Sequence, residues 1–71
     1  MKKLIRSDDI MRDVWVVLVE RYGKYTIEKQ KNKMGAKITR YEISKEFAEK
    51  LLSMDHESAI KKMIEECEIR E

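Results

Sequence analysis

Proline is absent from these 71 residues, glycine occurs twice, and cysteine and histidine occur once each. Without proline there is no polyproline recognition segment, no stiff proline-rich spacer and no cis-proline turn. Gly23 and Gly35 are too few and too far apart for a flexible linker or a phosphate-cradling loop, and each falls between periodic segments, where it reads as a turn position. The lone Cys67 rules out an intramolecular disulfide and suits a reducing compartment. His56 and Cys67 are the only soft metal ligands, whereas a closed zinc site needs about four. No metal and no cofactor is therefore expected. The longest unbroken apolar run, Val14 to Val19, is far short of the roughly twenty residues that span a bilayer. The opening "MKKLIRSDD" has no apolar stretch of the roughly 7 to 15 residues found in a signal peptide, so a cytoplasmic protein is expected.

Apolar and charged residues each make up 42% of the chain, which is too apolar for a disordered polymer. One domain spanning residues 1–71 is expected. At this size a single core barely offsets the roughly 1.5 kcal/mol per residue of conformational entropy lost on folding. Small chains add disulfides, metals or a second subunit. With the first two excluded, association with another copy remains. The small positive net charge, +2, conceals a sorted distribution. Bases and acids balance in residues 1–20, bases outnumber acids seven to one in 21–40, and acids outnumber bases nine to five in 41–71. Such asymmetry bears on partners more than on fold.

Residues 7–22, "SDDIMRDVWVVLVERY", admit two readings. As a helix, Ser7 is the N-cap, Asp8 and Asp9 sit at the positive end of the dipole, and Ile10, Met11, Val14, Trp15, Leu18 and Tyr22 share a face closed by Gly23. Against this, "VWVVLV" is almost wholly β-branched or aromatic, the composition that loses most side-chain freedom in a helix and packs best on a pleated sheet. A strand from about Asp13 to Arg21 is the favoured reading.

The next segment predicts a hairpin with a defined register. A three-residue loop, Lys33–Met34–Gly35, with Gly35 left-handed and Asn32 facing Ala36, sets Ile27 opposite Tyr41, Tyr25 opposite Ile43 and Glu28 opposite Arg40. All three are favourable cross-strand pairs, whereas a two-residue loop would put Ile27 against Arg40. The hairpin is then apolar at its base, with Lys29, Lys31, Lys33 and Lys37 towards its tip, beyond the expected reach of a covering helix.

From Ser44 the period becomes helical. Ser44 is a plausible N-cap, and Phe47, Ala48, Leu51, Leu52, Ala59, Ile60, Met63, Ile64 and Cys67 recur at steps of three and four. Their phase persists across "SMDHES", yet Asp55 is placed to cap a second helix, so one kinked helix and two consecutive helices both fit. The expected fold is α+β: a three-stranded antiparallel meander followed by a C-terminal helix, continuous or kinked near Asp55.

In the strand reading, Val14, Val16 and Leu18 point to one side and Trp15, Val17 and Val19 to the other. One helical layer covers one face only, so the other should be buried by a second copy, unless residues 1–12 fold back as a lid. A meander also leaves strand 13–21 at a sheet edge, open to pairing with another chain. Val14, Trp15, Val16, Val17, Leu18 and Val19 are accordingly the expected dimer interface.

No residues assemble a catalytic site. His56, between Asp55 and Glu57, lacks both an orienting partner and a nucleophile, and reads as an exposed helix residue. Cys67 lies on the apolar stripe and reads as a packed thiol. Glu65, Glu66, Glu68 and Glu71 lack the loop and spacing of a calcium site and read as a solvated helix face. Trp15, Tyr22, Tyr25 and Tyr41 read as core or interface rather than as base-stacking platforms, because Tyr25 and Tyr41 belong to the hairpin base, away from its lysines. Lys29, Lys31, Lys33 and Lys37 offer sequence-independent contact with nucleic-acid phosphates. The bland reading, solubility and protection of a sheet edge, is preferred, since the tip carries no arginine and the acidic C-terminal helix would repel a polyanion.

The segment order "VWVVLV", "YTIEKQK", "AKITRYEIS" and "KEFAEKLL" resembles the small Yopt family of prophage-encoded bacterial proteins. That resemblance implies a homodimer with three strands and one helix per monomer, made inside a bacterial cell, and it transfers no functional residues. The expectation is a non-enzymatic, homodimeric module that binds a host or phage protein, with nucleic-acid binding through the lysine-rich tip as the alternative.

Overall fold

A computed structural model of the chain describes residues 2–7, 14–31 and 38–70. Four strands, β1 (Lys2–Arg6), β2 (Val14–Arg21), β3 (Lys24–Lys31) and β4 (Ile38–Ile43), precede two helices, α1 (Lys45–Ser53) and α2 (His56–Arg70). The strands form one antiparallel sheet in the order β1-β2-β3-β4, so each strand pairs with its neighbour in sequence. The class is α+β, with one strand more than the three-stranded meander expected, and of the two helical readings the one with two consecutive helices holds.

The β-branched segment is extended, as its composition favours, and Ser7 is not a helix cap. Instead Ser7 continues the β1–β2 ladder: its N–H donates to the Val16 carbonyl at 3.1 Å, and its Oγ accepts the Val16 N–H at 3.1 Å. The β3–β4 register matches the expected one, with Tyr25 opposite Ile43, Ile27 opposite Tyr41 and Glu28 opposite Arg40. The loop that sets it, including Gly35, lies outside the described residues, as do Asp8, Asp9, Ile10, Met11 and Asp13.

The position of β2 corrects the expectation of an edge strand. β1 pairs along its outer side and makes it central, and residues 2–6 extend the sheet instead of folding over it, while residues 8–12 of the expected lid lie outside the described residues. Pairing with β1 satisfies backbone groups of β2 that would otherwise face solvent. The new edges are both blunted. β1 is irregular between Lys3 and Ile5, and on β4 the Glu42 carbonyl accepts a 2.6 Å bond from Arg70 Nη1, whose Nε is held by Glu66 at 2.8 Å.

Directly opposed residues share a face, so the pairings sort the sheet into two surfaces. One carries Ile5, Val16, Leu18, Tyr25, Ile27, Lys29, Tyr41 and Ile43. Val16, Leu18, Ile27 and Ile43 there pack with Ala48 and Leu51 of α1 and Ile60, Met63 and Cys67 of α2. Leu18, Ile27, Leu51 and Met63 are fully buried, each contributing about 1.5–3 kcal/mol of hydrophobic stabilisation.

The helical segment is two helices. Met54 is extended, with φ −86° and ψ 159°, and ends α1, while Asp55 Oδ2 accepts the Ser58 N–H at 3.1 Å and starts α2. Ser44 caps α1 in the same way through the Phe47 N–H at 3.1 Å. The break leaves Leu52, on the stripe in sequence, 46% exposed.

Candidate functional site

The second surface of the sheet carries Lys3 and Arg6 from β1, Trp15, Val17, Val19 and Arg21 from β2, Lys24, Thr26, Glu28 and Gln30 from β3, and Ile38, Arg40 and Glu42 from β4. Both helices pack on the opposite side, and among the described residues no element lies over this one. It is the candidate interaction surface.

Its two halves differ in character. Trp15 stands in a row with Gln30 and Ile38, beside the row Arg6, Val17, Glu28 and Arg40. Arg40 Nε and Glu28 Oε2 are 3.1 Å apart, so two of the three charges in that row neutralise each other. Trp15 and Val17 are half-buried and Ile38 is 44% exposed, giving an apolar area with little net charge. A shallow depression of about 330 Å3, lined by Lys3, Arg6, Ser7, Trp15, Val17 and Gln30, opens there. The other half, towards the β2–β3 turn, is basic. It holds Lys3, Lys24 and Arg21 against Glu42, and Val19 is buried in the row between Lys3 and Thr26.

Comparison with protein-family models, with curated proteins and with solved structures finds no match for this chain. The functional reading therefore rests on the geometry of the surface.

The six residues expected at a dimer interface separate across the sheet. Val16 and Leu18 are fully buried beneath the chain's own helices, which removes them from any interface. Alternation along β2 forces this outcome, since a strand cannot offer successive residues to one partner. Trp15, Val17 and Val19 are on the side opposite the helices, where Val19 is already buried. Val14 is paired with Lys31 through the backbone, and its side chain lies outside the described residues.

The lysine tip is also divided. Lys29 is 6% exposed, on the helix-covered face in a row with Val16 and Thr39, and it is engaged within the chain. It does not project towards an external phosphate, which corrects its place in that set. Lys33 and Lys37, and the side chain of Lys31, lie outside the described residues.

Tyr25 and Tyr41 pack against the core, as their place at the hairpin base implies, whereas Trp15 lies half-buried on the face opposite the helices and Tyr22 is 97% exposed at the β2–β3 turn. His56 is exposed in the first turn of α2. Cys67 is fully buried, and burial pushes its thiol up to about 11 despite the opposing charge of Lys29. Among the described residues no three histidine, cysteine or acidic side chains converge on a metal position. No described helix is long and apolar enough to cross a membrane.

Proposed function

We propose that this chain is a non-enzymatic module that pairs with a second copy of itself through the Trp15 half of the sheet face opposite its helices and acts by binding another protein. The observation carrying the reading is that Trp15 and Val17 lie on the side of the sheet opposite both helices, next to the exposed Ile38. A large indole left partly in water beside other apolar groups is the pattern of an interface centre. The blunted edges favour face-to-face over edge-to-edge association. The irregularity in β1 and the Arg70 bond to Glu42 both hinder addition of another strand. The neutralised Glu28–Arg40 pair lets two copies of this half approach without strong like-charge repulsion.

The prophage setting, and a host or phage protein as partner, are supported only by the Yopt-like order of segments. The extra strand and the divided helix depart from the architecture that resemblance implies. Sedimentation over a range of protein concentrations tests the dimer. The native chain should sediment as twice its 8.6 kDa mass, and Trp15→Glu should give folded monomers or insoluble protein. A native chain that stays monomeric at high concentration, or a Trp15→Glu dimer of unchanged affinity, refutes the assignment of this face.

A further inference from the structure

The irregular pairing of β1 does more than blunt an edge. Residues three apart in a regular strand point to opposite faces, but Lys3 stands opposite Val19 and Arg6 opposite Val17, so the residue absorbed between Lys3 and Ile5 brings both cations to the face opposite the helices. Their partners are two positions apart on β2, which sets the two backbone positions about 7 Å apart. Among the described residues neither side chain has a hydrogen bond or an ion pair. The two acids of this face do not compensate them. Glu28 is two strands from Arg6, about 10 Å, and its carboxylate is held by Arg40 at 3.1 Å. Glu42 is three strands from Lys3, about 14 Å, well beyond a Debye length of about 8 Å.

Lys3 and Arg6 both line the depression of about 330 Å3, with Trp15 as an apolar wall. Ser7 lines it too. Its side chain is only 6% exposed and its Oγ accepts the Val16 N–H, yet its own O–H donates to nothing among the described residues. A buried hydroxyl with a spare proton beside two unpaired cations suits an oxyanion. We propose that this depression binds a small ligand of the mononucleotide class, with its phosphate between Lys3 and Arg6 and its ring against Trp15. Two cations match one dianionic phosphate, and the guanidinium fork fits its oxygens. The half-buried indole offers a flat ring a stacking surface, and the volume is that of a small-ligand site. One chain builds the whole site, and pairing through the Trp15 half would close it over rather than create it.

Trp15 is the only tryptophan, so its fluorescence reports on the site directly. Titration with adenosine monophosphate at low ionic strength should give a saturable change, with a dissociation constant below about 1 mM. Adenosine and ribose 5-phosphate each lack one half of the ligand and should bind about tenfold more weakly or worse in calorimetry. Lys3→Gln and Arg6→Gln should each weaken binding about tenfold with melting temperatures near native, since both side chains are exposed. Lys24→Gln, on the other half of the face, should leave binding unchanged. The proposal is overturned by the lack of a saturable response, by adenosine or ribose 5-phosphate binding as tightly as the nucleotide, by native affinity in Arg6→Gln, or by equal weakening in Lys24→Gln. Sedimentation of the same samples keeps this site apart from the dimer. A monomer that binds the nucleotide refutes the pairing alone, and a dimer that does not bind it refutes the site alone.

Discussion

Ser7→Ala should be far more damaging than an ordinary change near the end of a strand. The hydroxyl oxygen accepts the Val16 N–H at 3.1 Å, Val16 is fully buried, and Ser7 itself is 6% exposed. Alanine keeps the backbone bond from Ser7 to the Val16 carbonyl but leaves the Val16 amide without its acceptor, at a cost of about 1–3 kcal/mol. For a chain of this length each kcal/mol is worth about 4–8 °C, so the melting temperature should fall by roughly 4–24 °C. Amide exchange shows whether the right bond was lost. The Val16 amide should lose protection beyond that of its neighbours in β2, since its own acceptor has gone. If Ser7 were instead a helix cap, the affected amide would be that of Asp9 or Ile10. A melting temperature within about 1 °C of the native value, with Val16 as protected as before, would falsify the bridge and mean that solvent replaces the hydroxyl at little cost.

Two further predictions concern titrating groups. Cys67 keeps its proton to about 11 in the folded chain, against 9.0 for a free thiol, because burial disfavours the thiolate. As pH rises from 9 towards 11 the unfolded chain loses this proton and the folded chain retains it, so stability should decline over that window, and Cys67→Ala should flatten the decline in alkaline melts. Hydrogen bonds from the Ser58 side chain and backbone hold Asp55 below its ordinary 3.8, so its contribution is present above that value and is lost as pH falls through the lower folded-state value. An NMR titration should place the Asp55 midpoint below 3.8, and Asp55→Ala should fray the first turn of α2 at neutral pH. A midpoint at or above 3.8 removes the cap from the account.

The parts of the fold legible in the sequence are those where one local choice admits few alternatives. Pairing Ile27 with Tyr41 and Glu28 with Arg40 allowed a single register, and Ser44 and Asp55 are residues whose side chains compete for backbone N–H groups at helix starts. β1 was illegible for a physical reason. Its pairing is irregular between Lys3 and Ile5, so the adjacent Leu4 and Ile5 both pack against the core and the period of two disappears. Lys29 was misjudged because the covering layer reaches further than expected. As a separate fifteen-residue helix, α2 contacts β1, β2 and β3 and brings Cys67 near the lysine. Half of the candidate surface followed from alternation alone, which put Trp15, Val17 and Val19 on one side. Nothing in the composition of "RYGK" distinguishes a strained, exposed tyrosine from one tucked into a core, because only the turn angles reveal it.

The strand order has a kinetic consequence. Each pair in the sheet joins segments adjacent in sequence, so every hairpin can zip on its own and the search for partners is short. The distant closure is the docking of α2 against β1, which joins opposite ends of the folded sequence. Refolding should therefore run in milliseconds or less, with a loosely roofed sheet forming early and the last helix settling late. Substitutions in α2 that weaken this contact should quicken unfolding more than they slow folding.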